Sequence, residues 1–198
     1  LNEKTVFVCC SKGLEMNSLK LPSQIVSSIF PKNKIAIISG PNFAAEIAKG
    51  LPAATAVASK YEEVSKKIAN LIKSPTLRPY LSNDIIGSQI AGALKNIYAI
   101  ASGIVVGKKY GENAVASIIS RSFAEITTVA KSMNAKKSTL AGLSGMGDLF
   151  LTCSSKESRN FSLGIDLAKG KTLNEIIQKK FSIAEGVFTV RALKKLAD

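Results

Sequence analysis

The sequence predicts an α/β fold followed by an all-α region, and two features of its pattern predict it. Over residues 1–82, short apolar runs alternate with helical patterns, which is typical of a sheet built from βαβ units. Over residues 83–198 only helical patterns occur. The chain has 198 residues, of which 46% are hydrophobic, so it is long and apolar enough to bury a core. We therefore expect one domain over each of the two ranges.

Four apolar runs in the first range predict strands, and they lie at residues 4–10, 34–38, 54–59 and 76–82. Pro79 lacks an N–H group for a sheet hydrogen bond, so the fourth run predicts an edge strand or a bend. Helical patterns fill the intervals at residues 18–30, 44–50 and 61–73. Pro31 ends the first of these helices, and Gly50 ends the second.

The second range begins with a long apolar helix over residues 85–107. Further helices are predicted at residues 113–134, 158–170, 172–180 and 184–197. A glycine-rich turn is predicted at residues 142–153. The chain begins within an apolar strand and ends within a helical pattern, so we expect an N-terminal and a C-terminal segment to be missing.

The chain is strongly basic, with a formal net charge of +13 from 27 basic and 14 acidic residues. No block of five or more basic residues occurs, which favours a solvated lysine-rich surface over a nucleic-acid interface. An anion or nucleic-acid binder remains an alternative, which salt-sensitive binding to DNA would reveal. In either case the field attracts small anions.

Histidine is absent, so acid–base chemistry must come from Lys, Asp, Glu, Tyr or Cys. Cys9, Cys10 and Cys153 are an odd number and form no C-x-x-C pair, which indicates free thiols in a reducing compartment such as the cytoplasm. We expect no metal.

Lys95 is the single charge in the apolar run of residues 85–107. The run is long enough to span a bilayer, but a central lysine costs about 2.5–3.5 kcal/mol there. We therefore interpret it as a buried helix that presents Lys95 and Asn96 to an interior cavity. Ala91, Gly92 and Ala99 lie at helical spacing around Lys95 and leave room for a ligand. Desolvation lowers a lysine pKa, which permits proton exchange near neutral pH.

Two further stretches offer polar groups suited to contact with a ligand. Ser158 predicts an N-cap, and Arg159 with Asn160 adds donors at the same helix start, a combination that suits a phosphate. An ordinary capped helix with a surface arginine is the alternative. Asp148 follows the glycine-rich turn, where it can pair with Lys95, hold substrate hydroxyls or simply cap a helix.

Lys12, Gly40 and Asn42 each follow a predicted strand. Ligands of open α/β sheets bind outside the carboxyl ends of strands, so these residues are candidates for ligand contact. The dinucleotide fingerprint G-x-G-x-x-G does not occur in this sequence.

Taken in order, several stretches resemble the NAD(P)-dependent glycerol-3-phosphate dehydrogenases of bacterial type. They are SKGLE (11–15), ISGPNFAAEIAKGLPAA (38–54), IAGALKNIYAIASGI (90–104), GENA (111–114), SRSFAE (120–125), AGLSGMGDLFLTC (141–153), SRN (158–160) and AEG (184–186). The resemblance implies the C-terminal part of a Rossmann-type domain over 1–82 and an all-helical substrate domain over 83–198, incomplete at its C-terminus.

The resemblance also implies a reaction. It is hydride transfer between NAD(P)H and dihydroxyacetone phosphate or sn-glycerol 3-phosphate, which serves glycerophospholipid synthesis in the cytoplasm. The implied partners are a small phosphorylated substrate and a second copy in a homodimer, with no nucleic acid and no membrane span. Since the opening βαβ units of the family are missing, we expect little or no catalysis from the chain alone. The alternatives are a non-catalytic interaction module and another two-domain NAD(P)-dependent dehydrogenase.

Site roles follow from the resemblance position by position. Lys95 matches the catalytic proton-transfer lysine. The implied substrate contacts are Lys12, Gly40, Asn42, Asn96, Asp148, Ser158, Arg159 and Asn160. The implied cofactor contacts are Lys12, Ala44, Arg159, Ile183 and Glu185. The family usually has Ser or Thr where Asn42 stands, which weakens the role implied for that position.

Overall fold

The structure is a computed structural model, and it describes residues 2–179 and 184–197. Four of the described segments are strands of one sheet, in the order β1–β2–β3–β4. They are β1 (Phe7–Cys9), β2 (Ile35–Ser39), β3 (Ala53–Ser59) and β4 (Leu77–Ser82). The helices between them are α1 (Pro22–Ile29), α2 (Ala44–Ala48) and α3 (Glu62–Ile72).

The sheet is mixed, which corrects one part of the prediction. Strands β1 and β2 are parallel, as are β3 and β4, but β2 and β3 are antiparallel. A parallel crossover usually runs through a full helix that carries the chain back along the sheet. The connection from Ser39 to Ala53 carries only the five-residue α2, and the chain turns back instead. Pro79 lies in the edge strand β4, as predicted.

The rest of the described chain is helical, so the predicted order of an α/β part and an all-α part is confirmed. Its elements are α4 (Ile85–Gly107), α5 (Glu112–Ser132), α6 (Lys137–Ala141), a π-helical turn (Leu143–Gly147), α7 (Asp148–Ser154), α8 (Arg159–Ala168), α9 (Leu173–Lys179) and α10 (Glu185–Ala197). The prediction of a glycine-rich turn at residues 142–153 is wrong, since the π-helical turn and α7 occupy most of that range.

Helix α4 lies at the centre of the helical part. Helices α5, α7, α8 and α10 all pack against it, and its first residue, Ile85, joins the apolar cluster on one face of the sheet. By length and composition α4 could also cross a membrane, but 56% of its most apolar window is buried against the rest of the protein. Its apolar character is thus explained by the core of this fold.

Glycines bring α4 and α8 into direct backbone contact. A Cβ on Gly103 would collide with the Phe161 carbonyl, and one on Gly164 would collide with the Ile100 carbonyl. A Cβ on Gly107 would lie 2.5 Å from the Ala168 Cβ. The two helices therefore depend on these glycines for their spacing.

The start of α4 is fixed by a buried carboxylate, Asp84. Its Oδ1 accepts a hydrogen bond from Gly87 N at 2.8 Å, which caps the helix. Its Oδ2 accepts one from Lys136 N, directly before α6, at 2.7 Å. One side chain thus ties the start of α4 to the start of the segment that leads to α7.

We expect Gly103→Ala to lower the free energy of unfolding by about 1–3 kcal/mol, because the added methyl has no space against α8. Alanine is the better helix former by about 1 kcal/mol, so a loss of stability would report the steric contact. Urea denaturation gives the measurement. Gly147→Ala is the control, because Gly147 also lies in helical backbone, with a φ of −59°, but an added Cβ would meet nothing closer than 3.6 Å. It should not lower the free energy of unfolding. A Gly103→Ala protein at least as stable as the unsubstituted chain would contradict this packing.

Candidate functional site

A buried carboxylate bridges two lysines at the centre of the molecule. Asp148 is 1% exposed and Lys95 is 7% exposed. Lys95 Nζ donates to Asp148 Oδ1, and Lys12 Nζ donates to Asp148 Oδ2 at 2.6 Å. With all three groups ionised, the cluster carries one net positive charge, which favours an anion beside it.

Three separate segments deliver these groups. Lys95 lies in the middle of α4, and Asp148 is the first residue of α7. Lys12 follows β1, and its Nζ also donates to the carbonyl of Gly40, directly after β2, at 3.4 Å. Gly40 has a φ of +140°, a conformation that side chains rarely adopt. The carboxyl ends of the parallel strands β1 and β2 therefore meet the helical part at this cluster.

The small residues around Lys95 do not leave the open room that their spacing predicts. A Cβ on Gly92 would lie 3.4 Å from both Cγ and Cδ of Lys12, so the stem of that lysine fills the space. Ala91 and Ala99 are buried in the main apolar cluster of the helical part. The absence of a side chain at Gly92 thus lets Lys12 reach Asp148.

Thr152 completes the surroundings of Lys95, and sequence reasoning missed it. Lys95 Nζ donates to Thr152 Oγ1 at 2.7 Å, and Thr152 Oγ1 donates to the Asp148 carbonyl at 2.6 Å. The segment was predicted as a turn, whereas in a helix residues 148 and 152 lie one turn apart on the same face. A helical interpretation of DLFLTC would have found this residue.

Burial lowers the pKa of Lys95 from 10.5 to about 8. The carboxylate of Asp148 opposes this effect, and the neighbouring ammonium of Lys12 adds to it. Cys153, next to Thr152, responds in the opposite direction, since burial raises its thiol pKa to about 12. Burial also raises the pKa of Tyr98 on α4. Lys95 is therefore placed to exchange a proton near neutral pH, and these two neighbours are not.

A second polar cluster joins the starts of α8 and α10. Arg159 Nη2 donates to Glu185 Oε1, and Asn160 Nδ2 lies 3.5 Å from Glu185 Oε2. Asn160 Oδ1 accepts from Gly186 N at 2.9 Å. Ser158 caps α8, as predicted, by accepting from Phe161 N at 3.3 Å.

The two clusters meet on neighbouring residues of α4. Asn96 directly follows Lys95 and is 4% exposed. A Cβ on Gly186 would lie 2.6 Å from the Asn96 carbonyl, so the start of α10 presses against α4 at this point. Arg159, which is paired with Glu185, and Lys95, which is paired with Asp148, are thereby held in one region of the molecule.

The structure also places the remaining residues of the predicted site. The Asn42 amide forms a hydrogen bond with Thr55 Oγ1 on β3 at 2.7 Å. Ala44 is exposed at the start of α2. Ile183 lies outside the described residues. Within the described part of the chain, no group of three or more His, Cys, Asp or Glu side chains could hold a metal.

Comparison with protein families decides which family has this arrangement. Residues 84–198 match the description "NAD-dependent glycerol-3-phosphate dehydrogenase C-terminus", and residues 1–65 match the corresponding N-terminus. The chain belongs to this dehydrogenase family. The motifs that carried the resemblance therefore identified it correctly.

Relatives of the family align over nearly the whole chain. A protein of Caulobacter vibrioides named glycerol-3-phosphate dehydrogenase [NAD(P)+] is 49% identical over 190 residues, which are 96% of this chain and 57% of that protein. One of Zymomonas mobilis with the same name is 45% identical over 197 residues and is covered to 58%. The chain thus spans a little over half the length of these glycerol-3-phosphate dehydrogenases.

Solved structures agree with the fold. The crystal structure of glycerol-3-phosphate dehydrogenase from Coxiella burnetii superposes with a TM-score of 0.94 at 36% identity, over 98% of this chain and 59% of that one. The match supports the predicted fold class, a sheet of Rossmann type followed by a helical part. The division into domains at residues 82 and 83 stays a prediction.

Asp148→Asn should lower the free energy of unfolding by about 3 kcal/mol at neutral pH, because it leaves a buried ammonium without its counter-charge. Part of the loss is relieved by deprotonation, since removal of the carboxylate lowers the pKa of Lys95 further. Chemical denaturation of both proteins measures the difference.

Glu62→Gln is the matched control for this substitution. It also removes a carboxylate from a lysine pair, but the side chains of Glu62 and Lys66 are 75% and 59% exposed. We expect it to change stability by less than about 0.5 kcal/mol. Equal effects of the two substitutions would show that Asp148 does not neutralise a buried charge.

Proposed function

We propose that this chain carries the acid–base and substrate-binding machinery of a glycerol-3-phosphate dehydrogenase. The reaction is hydride transfer between NAD(P)H and dihydroxyacetone phosphate, with sn-glycerol 3-phosphate as the product of reduction. The observation that carries the proposal is the buried Lys95, whose pKa is lowered to about 8 and which is held by Asp148 and Thr152. The names of the related proteins support the substrate and the cofactor.

The phosphate of the substrate is assigned to the cluster at the start of α8. Arg159 offers a planar fork of donors that matches phosphate oxygens, and Asn160 adds an amide donor. The first N–H groups of the ten-residue α8 add a positive dipole end. Asn96, which directly follows Lys95 on α4, is a further proposed substrate contact.

Lys95 is the proposed proton donor in ketone reduction. As an ammonium it gives a proton to the carbonyl oxygen while a hydride arrives at the carbonyl carbon, and the products are the alcohol and a neutral amine. In the reverse direction the neutral amine removes the hydroxyl proton. The pKa of about 8 lets one residue fill both roles near neutral pH.

Asp148 and Lys12 support this step electrostatically. The ammonium of Lys12 lies on the other oxygen of the same carboxylate, 24% exposed, where it stabilises negative charge that develops on the substrate oxygen. Asp148 holds both lysines in place without itself facing solvent. Gly40, whose carbonyl accepts from Lys12, and Asn42 are further proposed substrate contacts after β2.

The described residues also suit a nicotinamide cofactor. When bound, NAD(P)H supplies the hydride in reduction and the oxidised form accepts it in the reverse direction. Lys12 and Arg159 are partly exposed cations that fit its phosphate groups, and Ala44 and Glu185 are further proposed contacts. Ile183 is proposed on the resemblance alone. Assembly as a homodimer, a cytoplasmic location and a role in glycerophospholipid synthesis are also proposals from the family.

The proposal predicts that Lys95→Met strongly lowers turnover. We suggest a chimera in which residues 1–198 replace the matching segment of the Caulobacter vibrioides relative. The substitution should lower kcat by about 10²–10⁴-fold, since general acid–base catalysis contributes that much. NADH oxidation with dihydroxyacetone phosphate gives the rate, and NADH fluorescence shows whether cofactor binding is unchanged.

Lys131→Met is the control for Lys95→Met, because Lys131 is an exposed lysine near the end of α5. It should leave kcat unchanged. A Lys95→Met chimera that turns over within a few-fold of the unsubstituted one would remove Lys95 from the mechanism. An unsubstituted chimera without any turnover would count against the proposed activity of this sequence.

A further inference from the structure

The groups assigned to substrate phosphate already hold an anion, the carboxylate of Glu185. One of its oxygens accepts from Arg159 and the other lies 3.5 Å from Asn160 Nδ2. These are the same two side chains that are proposed to bind the phosphate. A carboxylate and a phosphate both present oxygen acceptors to an arginine fork, so the two compete for the same donors.

The backbone around Glu185 fixes the carboxylate at this place. Glu185 is the first residue of α10, and Gly186 N donates to Asn160 Oδ1 at 2.9 Å. The carbonyl of Glu185 accepts from Thr189 Oγ1 at 3.0 Å. Gly186 has no space for a Cβ against Asn96 and Asn160. The start of α10 thus delivers the carboxylate to Arg159 from a closely packed backbone.

The ion pair itself is weak enough to be displaced. The side chains of Arg159 and Glu185 are 51% and 37% exposed. Exposed pairs change an equilibrium constant by at most about fivefold, because water screens both charges. A phosphate dianion offers more charge and more acceptor oxygens than one carboxylate, so it can take over the arginine.

We propose that Glu185 is a built-in competitor for the phosphate position, which occupies Arg159 until a phosphorylated ligand displaces it. The inference rests on the proposed function, since it assumes that Arg159 and Asn160 bind the phosphate. A tethered competitor lowers the apparent affinity for every anion at this position by a constant factor. An anion that binds only through Arg159 and Asn160 then binds too weakly to occupy the position. A phosphorylated substrate still binds, because it makes further contacts.

The test is a calorimetric titration of the chain with inorganic phosphate at about pH 8 and low salt, where the ligand is mainly dianionic. Glu185→Gln should lower the dissociation constant for phosphate by about threefold to fivefold, which corresponds to the upper range of the contribution of an exposed ion pair. Glu185→Asp keeps the charge but shortens the side chain, so it should tighten binding by a smaller factor. Arg159→Ala should abolish phosphate binding, whether residue 185 is Glu or Gln.

Glu157→Gln is the matched control, because it removes the same unit of charge two residues from Arg159. Glu157 is exposed and precedes the cap residue Ser158. We expect a change of less than about twofold, as for a screened surface charge. Thermal unfolding of each variant shows whether it is folded at the titration temperature. If Glu185→Gln is unfolded there, Glu185→Asp serves as the test.

The outcomes separate this inference from the proposed function. Equal or weaker phosphate binding by Glu185→Gln, with binding still lost in Arg159→Ala, overturns the competitor role and leaves the phosphate site in place. A Glu157→Gln effect as large as that of Glu185→Gln also overturns it, since the cause would be net charge. No phosphate binding by any variant overturns the inference together with the phosphate site of the proposed function.

Discussion

The bridging of two lysines by Asp148 is the interaction on which the rest of the site depends. A lysine in the middle of an apolar helix is costly as an ammonium unless a counter-charge and hydrogen-bond acceptors surround it. Asp148 and Thr152, one turn apart on α7, meet both needs for Lys95. The second oxygen of the same carboxylate draws in Lys12 from the sheet. One buried side chain thus joins α4, α7 and the end of β1.

The packing of the helical part fixes the position of this cluster relative to the cluster of Arg159, Asn160 and Glu185. Helix α8 carries Arg159 and Asn160, and its close contact with α4 depends on Gly103 and Gly164. Helix α10 presses on α4 through Gly186 and on α8 through its hydrogen bond to Asn160. The distance between Lys95 and the proposed phosphate position is therefore set by backbone contacts, which change less readily than side-chain contacts.

Much of the candidate site could be predicted from the sequence, because several of its residues are of a type that their surroundings do not favour, or lie at helix starts. Lys95 is a charge in an apolar run, and Ser158 follows the rules for an N-cap. The prediction misses Thr152, because a glycine-rich stretch favours a turn over a helix at DLFLTC and the π-helical turn before α7 has no clear sequence signal. The prediction misses the antiparallel β2–β3 pair for a related reason, since the direction of β3 depends on how much of its connection is helical, and only five residues are. The ion pair between Arg159 and Glu185 joins residues that are 26 positions apart, and no local pattern indicates it.

The most direct measurement is a titration of Lys95 in the folded chain. Trace acetylation of the lysines across the alkaline pH range, resolved by peptide mass spectrometry, gives the pKa of each amine from its relative rate. Because burial disfavours the charged form, Lys95 should titrate at about 8. Substitution of Asp148 by Asn should lower that value, since the carboxylate favours the ammonium. A Lys95 that titrates near the ordinary lysine value of 10.5, with the same pKa in Asp148→Asn, would contradict the buried proton donor held by a carboxylate.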